Sequence, residues 1–83
     1  MYAVVFTYSF DHDVAVYLYK TQDEAVQHLE DYLKERFAHE ATDQKTHYGI
    51  SFDISEDGLY GTYKQHFLDH IETTTVRVGT VYD

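Results

Sequence analysis

The sequence predicts an α+β fold, ordered ββαβββ, in which a mainly antiparallel five-stranded sheet carries one long amphipathic helix packed on one face. Three observations carry this expectation. Apolar residues alternate with a period of two over residues 2–10 and again over 48–54, as side chains on a half-buried strand do. Between these stretches Ala25, Val26, Leu29, Tyr32, Leu33 and Phe37 recur at spacings of three and four, the pattern of a helix with a single apolar stripe. No proline, Gly/Ser run or repeat interrupts the 83 residues, so residues 1–83 read as one domain.

In the first strand Tyr2, Val4, Phe6, Tyr8 and Phe10 alternate with Ala3, Val5, Thr7 and Ser9. Residues 14–19 are rich in β-formers and supply the second strand. A three-residue loop at Asp11, His12 and Asp13 sets Phe10 opposite Val14, Tyr8 opposite Val16 and Phe6 opposite Leu18. One face of this hairpin then carries Val4, Phe6, Val16 and Leu18. Thr21 and Glu24 have the spacing of a capping box, in which each satisfies an orphan backbone N–H, and a helix should start there. It should end near Ala41, before the polar run 42–46. Tyr48, Ile50, Phe52 and Ile54 mark the third strand. Ser55-Glu56-Asp57-Gly58 makes a turn, because Gly58 can adopt positive φ without strain. Residues 59–67 and 73–82 form the last hairpin, closed around residues 69–72.

Nine Tyr and five Phe are too many for a disordered acidic tail. Fifteen acidic against six basic residues give a formal charge of −9, which repels phosphate backbones and anionic membranes. Direct nucleic-acid and membrane partners are therefore not expected. The same charge attracts basic surfaces, including the nucleic-acid clefts of other proteins. Without cysteine there is no disulfide frame, thiolate zinc site or Cys nucleophile, and the chain suits a reducing cytoplasm. Residues 1–10 have no basic flank or small-residue cleavage site and run into Asp11 and Asp13, so they read as a strand, not a signal. No stretch approaches the length of a membrane span, and a soluble, cytoplasmic protein is expected.

The chain contains no G-x-S-x-G, no H-E-x-x-H and no phosphate-cradling glycine loop. Adjacent carboxylates such as Glu30 and Asp31 diverge on a helix, and nothing marks them as buried enough for acid–base work. An enzyme is not expected, nor a cofactor. His66 and His70 lie four apart with Asp69 beside them and are the best metal candidates. A strand running into a turn would separate the rings, so solvated histidines are the plainer expectation. A small metal- or ligand-dependent protein using His66, Asp69 and His70 is the alternative.

Two surfaces stand out. In the registers above, the far side of the sheet shows Val5, Tyr17, Tyr19 and Tyr60, with Lys64 across from Arg77. Tyrosine and arginine concentrate at interface centres, although tyrosine is also a good strand former on a solvated face. On the helix, Glu24, Asp31 and Glu35 line up, with Asp23, Glu30, Glu40 and Asp43 around them. Seven of the fifteen acidic residues fall in 21–43. A solvated helix exterior explains them, or else carboxylates stand in for phosphates in the basic groove of a nucleic-acid-handling or defence protein. The expected function is a non-catalytic acidic protein-binding module, acting as a homodimer or as an inhibitor or adaptor on a basic partner surface. Tyr17, Tyr19, Tyr60 and Arg77 would serve an aromatic interface, and Glu24, Asp31 and Glu35 an electrostatic one.

The run Val4-Val5-Phe6-Thr7-Tyr8-Ser9-Phe10-Asp11, followed by Val16-Tyr17-Leu18-Tyr19 and by Thr21 with Glu24-Ala25, resembles short acidic proteins of uncharacterised function from gut-dwelling Clostridia-like bacteria. The resemblance continues through Ile54-Ser55-Glu56-Asp57-Gly58 and in Val78-Gly79 and Val81-Tyr82, covering most of the chain. It implies a bacterial, cytoplasmic protein, and no activity or site residues.

Overall fold

The computed structural model describes residues 1–40 and 49–81. Strands β1 (Tyr2–Tyr8) and β2 (Asp11–Tyr19) form a hairpin, α1 (Gln22–Glu40) follows, and β3 (Gly49–Ile54), β4 (Tyr60–His66) and β5 (Ile71–Thr80) complete the chain. The expected ββαβββ order is therefore present. Among the described residues the four strand pairings are antiparallel, in the spatial order β2-β1-β5-β4-β3. The helix leaves edge strand β2 and the chain resumes at the opposite edge, β3, so α1 packs against all five strands. Residues 41–48, which include Ala41, the polar run 42–46 and Tyr48, lie outside the described residues, as does the end of the expected last strand at Tyr82.

The core lies between α1 and one face of the sheet. Ala25, Leu29 and Leu33 from the helix meet Val4, Phe6, Tyr63 and Val76 from the strands, all buried. Gly61 lets this approach happen: a Cβ there would lie 2.5 Å from Leu33 Cδ1 and 3.3 Å from both Leu29 Cδ2 and the Asp53 carbonyl oxygen. At the helix start the Glu24 N–H donates to Thr21 Oγ1 (3.2 Å), and the Thr21 hydroxyl donates to Glu24 Oε1 (2.9 Å). The cap thus differs from the reciprocal box: Glu24 accepts from the Thr21 hydroxyl, not from a backbone N–H. Gly58 has φ of 78°, and its N–H donates to the Ser55 carbonyl (3.0 Å). Asp57 braces the same turn by accepting from the Ser55 hydroxyl (2.6 Å) and the Leu59 N–H (3.0 Å).

The β1–β2 register corrects the expected one. Phe6 pairs with Ala15, Val4 with Tyr17 and Tyr2 with Tyr19, not Phe6 with Leu18. The loop falls at Ser9 and Phe10, ahead of Asp11, and an irregularity lies between Thr7 and Tyr8. Its position is fixed from outside the hairpin. The Ser9 N–H donates to the Thr73 carbonyl (2.9 Å) and the Thr73 N–H to Ser9 Oγ (2.8 Å), tying the loop to β5. The Asp13 N–H donates to Asp11 Oδ1 (3.2 Å) and holds the extra residues of β2. The register is displaced by three, an odd number, which exchanges the faces of β2. Ala15, Tyr17 and Tyr19 turn toward the helix, and Val14, Val16 and Leu18 turn away.

The β4–β5 register is also corrected. Arg77 pairs with Tyr60 and Lys64 with Thr73, so Lys64 is not across from Arg77. The turn closes earlier than expected, with the Phe67 N–H donating to the His70 carbonyl (2.8 Å) and the Phe67 and His70 rings stacked at 4.7 Å. This displacement is an even number of residues, and the faces of β4 and β5 stay as expected.

Candidate functional site

The register decides which of the expected residues share a surface. Tyr19, Glu24, Asp31 and Glu35 come together in a groove of about 610 Å³ along one flank of α1, joined by Asp23, Gln27 and His28. Glu24, Asp31 and Glu35 are seven and then four residues apart, so they form one stripe about 16 Å long. Tyr19 and His28 form the floor, hydrogen-bonded between the Tyr19 hydroxyl and His28 Nδ1 at 2.7 Å. Tyr17 lies beside them, its ring centroid 4.9 Å from that of His28 and 5.6 Å from that of Phe6. Tyr17 and Tyr19 therefore lie on the helix side of the sheet, not on the open side with Tyr60 and Arg77.

The groove has chemistry of one sign. Gln27 Nε2 donates to Asp31 Oδ1 (2.8 Å), and Glu24 accepts from Thr21. Asp23 and Glu35 have no hydrogen-bonded partner among the described residues. Among the described residues no Lys or Arg lines the groove; Lys34 pairs instead with Glu30. Ionised carboxylates only accept hydrogen bonds, and each can take a bidentate guanidinium. The groove meets β2 at its last residue, Tyr19; among the described residues the outer edge of β2 has no neighbouring strand and so presents backbone N–H and C=O groups unpaired by the sheet.

The open face of the sheet holds the other pair of expected residues. The Arg77 guanidinium lies 5.2 Å from the Tyr60 ring centroid, a cation–π arrangement. Val14, Val16 and Leu18 of β2 share this face and are 57%, 55% and 57% exposed.

Sequence reasoning missed Arg36. Its side chain is only 16% exposed, because it sits between the helix and the sheet. Nε donates to Glu40 Oε1 (3.1 Å), Nη1 to Thr74 Oγ1 (2.7 Å) and the Tyr32 hydroxyl (3.1 Å), and Nη2 to Gln65 Oε1 (3.1 Å). Glu40 Oε2 accepts from the Tyr63 hydroxyl (3.0 Å) and Gln65 Nε2 (2.6 Å). The guanidinium also stacks 4.2 Å from the Tyr63 ring centroid. Burial is the largest single influence and works against its charge, but the hydrogen bonds and charges of Glu40 and Tyr32 together outweigh it and hold the Arg36 pKa above its ordinary value. Burial, reinforced by Glu40, raises the Tyr63 phenol far above the usual range. With all three guanidinium nitrogens hydrogen-bonded inside the fold, this network holds the end of α1 on the sheet.

His70 makes two carboxylate contacts, Nδ1 to Asp69 Oδ1 at 2.6 Å and Nε2 to Glu72 Oε1 at 3.3 Å. The hydrogen bond to Asp69, and then that to Glu72, raises the His70 pKa. The raised pKa favours the folded state below the ordinary imidazole pKa, and that contribution fades as pH rises through the folded-state value. Asp69→Asn is expected to move the His70 midpoint part of the way back toward an ordinary imidazole, which its ring proton resonances would report; an unmoved midpoint would contradict the assignment. His66 pairs with Ile71 at the end of β4. Among the described residues no group of three or more His, Cys, Asp or Glu is placed to hold a metal ion, and no helix is long and apolar enough to cross a membrane.

No family model, curated protein or solved structure matches this chain.

Proposed function

We propose that this protein is a non-catalytic binding module that takes a basic segment of a protein partner, acting as an adaptor or inhibitor in a reducing cytoplasm. The observation that supports the reading is the groove that gathers Glu24, Asp31 and Glu35, with Asp23, on α1 and reaches Tyr19 at the end of edge strand β2. An extended partner segment laid along β2 gains main-chain hydrogen bonds from the edge. Its alternate side chains then point toward the helix, where lysine or arginine meets carboxylates. Opposite charges also speed encounter and set orientation.

The test is titration of a labelled, extended Lys/Arg-rich peptide into the protein, followed by fluorescence anisotropy. Exposed ion pairs contribute about 0.2–1 kcal/mol each. The triple variant Glu24→Gln, Asp31→Asn, Glu35→Gln is therefore expected to bind roughly tenfold more weakly while melting at nearly the same temperature. Equal affinity of the variant and the parent would exclude the groove as the site.

A further inference from the structure

The registers assemble the open face of the sheet into rows. Val16, Val5, Arg77 and Tyr60 lie side by side across β2, β1, β5 and β4. Leu18, Ala3 and Gly79 form the row on one side of it, and Val14, Thr7, Thr75, Thr62 and Asp53 the row on the other. The aliphatic corner of Leu18, Val16, Val14 and Val5 is contiguous, and a contiguous apolar patch, unlike scattered single residues, marks an interaction surface. Tyr60 and Arg77, in a cation–π arrangement, continue it with two of the residue types enriched at interface centres.

The charge distribution identifies the occupant. The chain carries −9 overall, yet among the described strand residues Asp53, on edge strand β3, is the only carboxylate on this face, against Arg77 and Lys64. The helix side carries the acidic groove, so two copies meeting there, or through the β2 edge beside it, would bring Glu24, Asp31 and Glu35 of both chains together. The open face is where two such chains can touch without opposing carboxylates. We propose that it is a self-association surface, covered by a second copy of this chain in a sheet-on-sheet dimer. Five strands at about 4.8 Å spacing and seven residues at about 3.3 Å rise give a footprint of roughly 24 by 23 Å. Two apposed faces then remove on the order of 1,100 Å² or more from water, near the lower bound for a stable specific interface. This surface is separate from the groove in Proposed function, and the dimer leaves both grooves facing outward.

Sedimentation equilibrium of the full chain, carried to protein concentrations on the order of 100 μM, tests this. The expected result is a particle of twice the 9.8 kDa chain mass, whose association strengthens with added salt as the −9 charges are screened. Val16→Asp places a carboxylate in the aliphatic corner of the face and should leave a monomer. Val16→Thr with Leu18→Thr keeps β-formers on the strand and should weaken association at least tenfold, which preserves the test if Val16→Asp does not fold. The triple groove variant, with three fewer negative charges on each chain, should associate at least as strongly as the parent. A monomeric parent over the whole range, a dimer untouched by the Val16 variants, or a dimer lost with the groove carboxylates would each overturn the proposal.

Discussion

Replacing Leu33 with alanine is expected to lower the unfolding free energy by about 3 kcal/mol, within the usual range for a fully buried leucine. Leu33 is wholly enclosed between α1 and the sheet, and it occupies the space above Gly61. A domain of this size has roughly 4–12 kcal/mol in all, so the melting temperature should fall by at least about 12 °C. Gly61→Ala alone should also destabilise, by about 1–3 kcal/mol, because its new Cβ would meet Leu33 Cδ1 at 2.5 Å and the leucine is packed on every side. In the Leu33→Ala background that Cβ enters vacated space. The double variant should therefore be more stable than the sum of the two single losses by roughly 1–3 kcal/mol. Urea unfolding of the four proteins measures this coupling. Simple additivity would mean that Leu33 does not pack over Gly61.

Arg36→Met is the second large effect. It leaves Glu40 without its charged partner and removes hydrogen bonds to Thr74, Gln65 and Tyr32. Breaking one half of a buried ion pair costs about 3–5 kcal/mol. With Arg36 and Glu40 16% and 22% exposed, a loss of about 2–3 kcal/mol is expected here. Arg36→Met with Glu40→Met should cost less than the two single substitutions added together, since neither charge is then stranded. Chemical unfolding again reads the result. A loss below about 0.5 kcal/mol for Arg36→Met, typical of a surface substitution, would place the side chain in solvent.

Element type and order were legible because they rest on periodicity, which Leu29 and Leu33 on the helix and Phe52 and Ile54 on β3 show clearly. Register was not legible in β2. Both of its faces are apolar, Val14, Val16 and Leu18 on one and Ala15, Tyr17 and Tyr19 on the other, so the pattern fits the core either way. What decides is the tie from Ser9 to Thr73, 64 residues away, which no local pattern can show. The acidic stripe of Glu24, Asp31 and Glu35 was legible from helical spacing alone, whereas its association with Tyr19 required the correct face of β2. Arg36 did carry a signal. It lies four residues after Tyr32 and three after Leu33, inside the arc of the apolar stripe, and a charge placed there must find partners within the fold. Reading the stripe by apolar identity passed over it.

The charge segregation between the two surfaces also emerges only once the registers are known. It gives them opposite responses to salt: screening weakens a basic segment held by carboxylates and strengthens contact between two like-charged chains. The most direct measurement of the proposed activity is the affinity of the Lys/Arg-rich peptide as ionic strength rises from about 0.01 M to about 1 M, shortening the Debye length from about 30 Å to about 3 Å. Binding by the parent protein should weaken steeply across that range, and binding by the Glu24→Gln, Asp31→Asn, Glu35→Gln variant much less. An affinity that ignored salt, or a salt dependence identical in the variant, would contradict recognition through the acidic groove.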